Sequence, residues 1–152
     1  MRNDEWLVTL FNKVWSDKFS DVERKNNVAI RWKGKWKNKF GHIRRLKNGD
    51  TEIAINKNFQ DERVPEFIVE LTVAHELVHY MHGFHSPHPK LFKHPHKGGV
   101  VNKELKKRGY SEHLRKDRGW FRGEWQSMVK GFHNNGNGRI TVKQLRNSFR
   151  LF

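Results

Sequence analysis

The chain has 152 residues, which is the length of a single domain with room for a small appendage. It contains no cysteine, so disulfides, cysteine zinc ribbons and thiol catalysis are excluded. Lys and Arg number 31 against 16 Asp and Glu, which gives a net charge of +15. A cationic excess of this size indicates a polyanionic partner, and nucleic acid is the first expectation.

The N-terminus does not resemble a secretory signal, because Asp4 and Glu5 stand where positive charge is expected. No stretch approaches the roughly 20 apolar residues that a membrane span needs. We therefore expect a soluble, cytoplasmic protein that does not engage a membrane.

Apolar residues recur at helical spacing over residues 4–19, which predicts an N-terminal amphipathic helix. Strand-like segments follow at 27–32, 40–46 and 51–56, and the sequence Asn-Gly-Asp at 48–50 is a hairpin turn between the last two. These segments predict a small antiparallel sheet of about three strands.

A long helix is expected from Pro65 to about residue 84, since proline is tolerated in a first helical turn. Its middle, FIVELTVAHELVHYM, is apolar nearly all round, which is typical of a helix buried in the domain. A loop rich in His, Pro and Lys spans 83–96, and another helix, 99–108, ends before Gly109. Strands and helices together predict an α+β fold.

No acid follows Glu124, and glycines separate short aromatic and basic pieces in the last part of the chain. We therefore divide the chain into a domain of residues 1–110 and a basic accessory segment, 111–152. In that segment HNNGNGRITVKQL resembles an EF-hand calcium loop. His133 and Gln144 replace the first and last carboxylates of that loop, so no carboxylate is left for calcium.

The central helix carries the pattern HExxH in the sequence His75-Glu76-Leu77-Val78-His79. Two histidines four residues apart lie on one helix face and can bind one metal ion. Glu76 lies beside them, where it can act as the general base that takes a proton from water. Because burial of these polar groups without partners would be costly, the pattern favours a catalytic zinc site over surface residues.

Catalytic zinc takes three protein ligands and keeps a fourth position for water. His96 is the favoured third ligand, because it precedes the next helix and a rigid element can present it. His85 stands six residues after the second histidine, as in HExxHxxGxxH enzymes, but the glycine of that pattern is displaced by one position. His94 and, in a site of two histidines and a carboxylate, Glu104 are the remaining alternatives.

Several segments together resemble the SprT-like domain, which includes Spartan-type proteases, over about residues 5–110. The resemblance rests on the order and spacing of LFNKVWSDKF, VAIRW, EIAIN, FIVELTVAHELVHY and PHKGGVVNKELKKRG. It implies a zincin-like α+β fold in which the sheet packs against the N-terminal helix, the HExxH helix and the ligand-bearing helix. It also implies peptide-bond hydrolysis with one Zn²⁺ bound by His75, His79 and His96. The cysteine zinc ribbon of many relatives is absent from this chain.

The same resemblance implies association with DNA and degradation of proteins bound or crosslinked to it. We therefore expect a monomer associated with the nucleoid or nucleus, with DNA-associated proteins as substrates. Residues 31–47 contain eight Lys or Arg and no acid, with aromatic residues interleaved, as in surfaces that bind single-stranded DNA. The predicted nucleic-acid contacts are Arg31, Lys33, Lys35, Trp36, Lys37, Lys39, Arg44 and Arg45.

Two other functions compete with a DNA-associated zinc protease. One is a nucleic-acid-binding module with a structural or weakly active zincin core. The other is a peptidase of another HExxH class that uses His85 as its third ligand. The presence of Glu76 favours a protease over the first alternative, since a structural metal site has no need of that carboxylate.

Overall fold

The structure, a computed structural model, describes residues 1–132. The EF-hand-like stretch that begins at His133 lies outside the described residues. The elements in chain order are α1 (Asp4–Lys18), β1 (Val28–Trp32), β2 (Gly41–Arg45), β3 (Thr51–Ile55), α2 (Glu66–Met81), α3 (Val100–Lys107), α4 (Ser111–Trp120) and α5 (Gln126–Phe132). One π-helical turn, Phe121–Trp125, joins α4 to α5.

The three strands form one sheet in the order β1-β3-β2. The expected α+β architecture is therefore confirmed, and β2 pairs with β3 in the antiparallel sense through the predicted hairpin. The expectation of an all-antiparallel sheet is wrong, because β1 pairs with β3 in parallel. Consecutive strands alternate in direction, so placing the third strand between the other two makes its pairing with the first parallel.

The core lies between the sheet and the helices. One face of α1 is buried there; its buried residues are Leu7, Leu10, Phe11, Val14 and Trp15. Helix α2 is buried nearly all round, from Ile68 to Tyr80, and it packs against α1, α3, α4 and two strands. Among the described residues, no helix has both the length and the apolar character that crossing a membrane requires.

Residues 111–132 contribute to this same core. The Trp125 side chain is fully buried, and its ring centroid lies 5.2 Å from that of Phe40 and 5.5 Å from that of Phe59. Trp120 packs beside it, with a centroid separation of 5.6 Å. The division of the chain at residue 110 stays a prediction, but the described part of the later segment shares one core with the residues before it.

We predict that Trp125→Ala lowers the free energy of unfolding by about 3–5 kcal/mol, because it removes a large buried ring and leaves a cavity. Urea denaturation measures the change. Glu124→Ala is the control, since Glu124 is exposed on the same turn. If the two variants were equally stable, the segment after residue 110 would not be part of the core.

Candidate metal centre

Helix α2 places the two histidines of the motif side by side. The ring centroids of His75 and His79 lie 4.8 Å apart, and the two residues are only 7% and 2% exposed. The helix is long enough to hold them rigidly, since it runs from Glu66 to Met81 after Pro65. The expected pair on one helix face is thus present in the interior of the protein.

His96 completes a group of three. Its Nε2 atom lies 3.4 Å from Nε2 of His75, and one nitrogen from each of the three histidines lies within 4.8 Å of the others. Two nitrogens bound to one zinc ion at about 2.0 Å in tetrahedral geometry lie about 3.3 Å apart. Three neutral imidazoles are also a donor set that suits a catalytic zinc ion, so the residues fit the group.

The loop before α3 is held so that His96 reaches the helix pair. Leu91 donates its backbone N–H to the carbonyl of His82, and Ser86 donates its hydroxyl to the carbonyl of Tyr80. After His96 the chain turns through Gly98 and Gly99, whose φ values of 76° and 66° lie in the left-handed region that glycine tolerates. These contacts join the histidine to the start of α3.

The alternative third ligands, His85, His94 and Glu104, do not lie in this group of three. Within residues 1–132, the only group of three ligand side chains close enough to share a metal ion is His75, His79 and His96, so neither His85 nor His94 belongs to one. The backbone of His85 has a positive φ of 57°, and its carbonyl accepts the hydroxyl of Thr51. Glu104 accepts a hydrogen bond of 3.0 Å from Arg108. The structure therefore brings together the favoured ligands, His75, His79 and His96.

The carboxylate of Glu76 is fully buried next to the histidines. Neither of its oxygens has a hydrogen-bond partner among the described residues. Burial raises the pKa of Glu76 to about 8, and the positive charge of Lys39 opposes that rise. A dication bound by the neighbouring histidines would favour the ionised carboxylate, so this group is suited to exchange protons.

Strand β2 approaches Glu76 closely because residue 41 is glycine. A Cβ atom at Gly41 would lie 2.8 Å from the carbonyl oxygen of Ala54 and 3.4 Å from Oε1 of Glu76. β2 is at an edge of the sheet, and its first residue therefore forms a wall of the site. Sequence reasoning assigned no role to this glycine, since only the tertiary packing of β2 on α2 reveals it.

Lys39 belongs to the site as well as to the predicted nucleic-acid surface. Its charge interacts with that of Glu76, and its ammonium lies 4.5 Å from the centroid of the Trp36 ring. The side-chain amide of Asn56 donates to the carbonyls of Trp36 and Lys39, at 2.8 and 2.7 Å. The segment between β1 and β2 is thus fixed near the carboxylate of Glu76.

The other predicted nucleic-acid contacts divide into two groups. Arg31, Lys33 and Arg44 form ion pairs with Glu52 at 3.1, 3.0 and 2.9 Å, and Glu52 is only 3% exposed. One carboxylate thus forms ion pairs with three cations, so the cluster keeps a net positive charge. The second group is outside these ion pairs and comprises Lys35, Trp36, Lys37 and Arg45.

The pKa of His42 responds to the charged side chains of this surface. Burial, and after it the charges of Lys39, Lys33 and Arg44, lower the pKa of His42 to about 4, while Glu52 opposes them. Its ring packs against that of Trp36, with a centroid separation of 5.1 Å. The imidazole is therefore neutral at neutral pH and lies within a field of cations.

We predict that single alanine substitutions of His75, His79 and His96 each reduce the zinc content of the purified protein from about one ion per chain to a small fraction. Removing one of three ligands from a compact site leaves too few donors to hold the ion. His85→Ala and His94→Ala are the controls and should retain the metal. Retained zinc in the His96 variant, or loss in the His85 variant, would contradict the assigned ligand set.

A model of the SprT-like family matches residues 7–105, which include the HExxH motif and His96. The match covers more than half of the chain and confirms the resemblance drawn from the sequence motifs. No curated protein and no solved structure matches the chain.

Proposed function

Because the chain belongs to the SprT-like family, we propose that it is a zinc-dependent endopeptidase acting on proteins that are bound or crosslinked to DNA. Family membership supports a metalloprotease-type domain. The observation that carries the proposal further is the convergence of His75, His79 and His96 on one point. Glu76 directly follows His75 in the chain, and its carboxylate is fully buried.

In this proposal His75, His79 and His96 hold the ion and Glu76 moves the proton. Zinc bound there would supply Lewis acidity, which lowers the pKa of water at the site to about 7 and polarises a peptide carbonyl. Glu76 accepts the proton of the attacking water and delivers it to the leaving amine. The enclosed position of Glu76 next to Gly41 keeps bulk water from competing for that proton.

We predict that Glu76→Gln abolishes cleavage of casein or histone, by at least about 100-fold, while the zinc content stays unchanged. The amide keeps the shape of the side chain but cannot accept a proton. Cleavage is measured with and without single-stranded DNA at stoichiometric zinc. Glu66→Gln, an exposed position on the same helix, is the control.

If the wild-type protein left these substrates intact under all conditions, the proposed protease function would be contradicted. If it still bound DNA, the nucleic-acid-binding module with a structural zincin core would be the better description. Equal cleavage by wild type and Glu76→Gln would instead assign the activity to another site or to a contaminant.

DNA as a partner is supported by the charge of the chain and by the surface around β2. The surplus of cations over acids on residues 31–47 provides phosphate contacts, and Trp36 offers a ring for base stacking. Because Lys39 lies on this surface and also interacts with Glu76, a protein bound next to the DNA path would be held close to the catalytic carboxylate. This arrangement supports DNA-associated proteins as the substrate class.

We predict that replacing Lys35 and Lys37 together by alanine makes binding of a single-stranded oligonucleotide less dependent on salt. Two lost phosphate contacts reduce the slope of log K against log salt by about 1.4. Lys13 and Lys116, exposed on α1 and α4, form the control pair. An unchanged slope in the test pair, or an equal loss in the control pair, would place DNA elsewhere.

His42 gives a second readout of the same binding. Phosphates that neutralise Lys33, Lys39 and Arg44 should raise the pKa of His42 by about one unit, because those cations help to lower it in the free protein. An NMR titration of the imidazole with and without oligonucleotide measures this, and high salt should reverse it. A pKa that does not move on binding would contradict this surface.

A further inference from the structure

A small cavity lies between α2, α3 and α4, and His75 of the candidate metal centre is part of its lining. Its polar lining consists of Thr72, His75, Asn102 and Asp117, and leucine and isoleucine side chains form the rest. The cavity has about the size of one water molecule. It thus connects a proposed metal ligand on α2 to a carboxylate on α4.

Asp117 is a costly residue at this position. It is 3% exposed, and its Oδ1 atom has no hydrogen-bond partner among the described residues. A carboxylate taken out of water without a partner lowers the stability of the fold. Neither the core packing nor the proton transfer assigned to Glu76 accounts for this carboxylate.

The orientation of the His75 ring suggests that role. Its Nε2 atom faces His96 at 3.4 Å, so Nε2 is the atom on the side of the metal centre. A metal-ligating histidine donates its other ring N–H to a carboxylate, a carbonyl or a water, which fixes the ring and raises its basicity. The cavity behind His75 holds a carboxylate and can hold such a water.

The four polar side chains of the lining offer partners for a bound water. A buried water needs two to four polar partners in a space of about its own size. Thr72 uses its hydroxyl proton on the carbonyl of Ile68, so its oxygen remains an acceptor, while Asn102 offers both donors and an acceptor. Burial raises the pKa of Asp117 to about 7, and its Oδ1 adds a further acceptor.

We propose that Asp117 is a positioning residue of the metal centre, which orients the imidazole of His75 through a water bound in the cavity between α2, α3 and α4. This role rests on the proposed function, because it presupposes that His75 is a metal ligand. It assigns a purpose to α4, an element that the sequence alone placed in an accessory segment.

The test measures zinc affinity by competition with a chelator, in the absence of any substrate. We expect Asp117→Leu to weaken zinc binding by about 10- to 100-fold. Asp117→Asn, which keeps a polar side chain of the same shape, should lose less. Glu112→Gln is the matched control, because Glu112 is an exposed acid on the same helix, and its affinity should equal that of the wild type.

Thermal unfolding of the metal-free variants separates this role from a structural one. Removing a buried carboxylate that lacks partners should leave the melting temperature unchanged or raise it. A structural residue would give the opposite pattern, with lower melting temperature and unaltered zinc affinity, and that result would overturn the proposal.

The failure of this inference can be told apart from failure of the proposed function. Wild-type protein that binds zinc and needs Glu76 for cleavage, with equally tight zinc binding by Asp117→Leu, would overturn only the role of Asp117. Wild-type protein that binds no zinc would overturn the metal centre, and the role of Asp117 with it.

Discussion

Three ionisable side chains are buried on one apolar helix, α2, and their burial constrains the elements that pack against that helix. His75, Glu76 and His79 lie in the interior of the protein, where polar groups require partners. The neighbouring elements approach these groups from several sides. His96 comes in from the loop before α3, and the charge of Lys39 acts on the carboxylate from the segment before β2.

The sheet separates two kinds of surface with only three strands. Residues paired across the sheet share a face, so Ile43 and Ile53 lie on the side of the helices, whereas Arg44 and Glu52 lie on the opposite side. On that side Glu52 forms ion pairs with Arg31 and Arg44. Lys39 and Gly41 both lie near Glu76. The short segment 39–41 therefore connects the most basic part of the chain to the candidate metal centre.

Local patterns in the sequence were sufficient for α1, α2, α3, the strands and the first two candidate ligands, but they did not predict α4 or α5. Hydrophobic periodicity marks α1 and α2, and the spacing of His75 and His79 follows from one helical turn. His96 was favoured over His85 because it precedes the next helix, where a rigid element can present it, and the family resemblance implies the same ligand. Strand order and the packing of Trp125 depend on contacts between distant residues, which periodicity does not contain. The same limit hid Lys39 and Asp117, whose positions near the site arise from packing alone.

The central claim is that His75, His79 and His96 hold one ion together. X-ray absorption spectroscopy of the zinc-loaded protein tests it most directly, because it counts the ligands and measures their distances. The account predicts three imidazole nitrogens at about 2.0–2.1 Å and one oxygen of a non-protein ligand, and two imidazoles after His96→Ala. A wild-type spectrum with two imidazoles, or with four, would contradict the account.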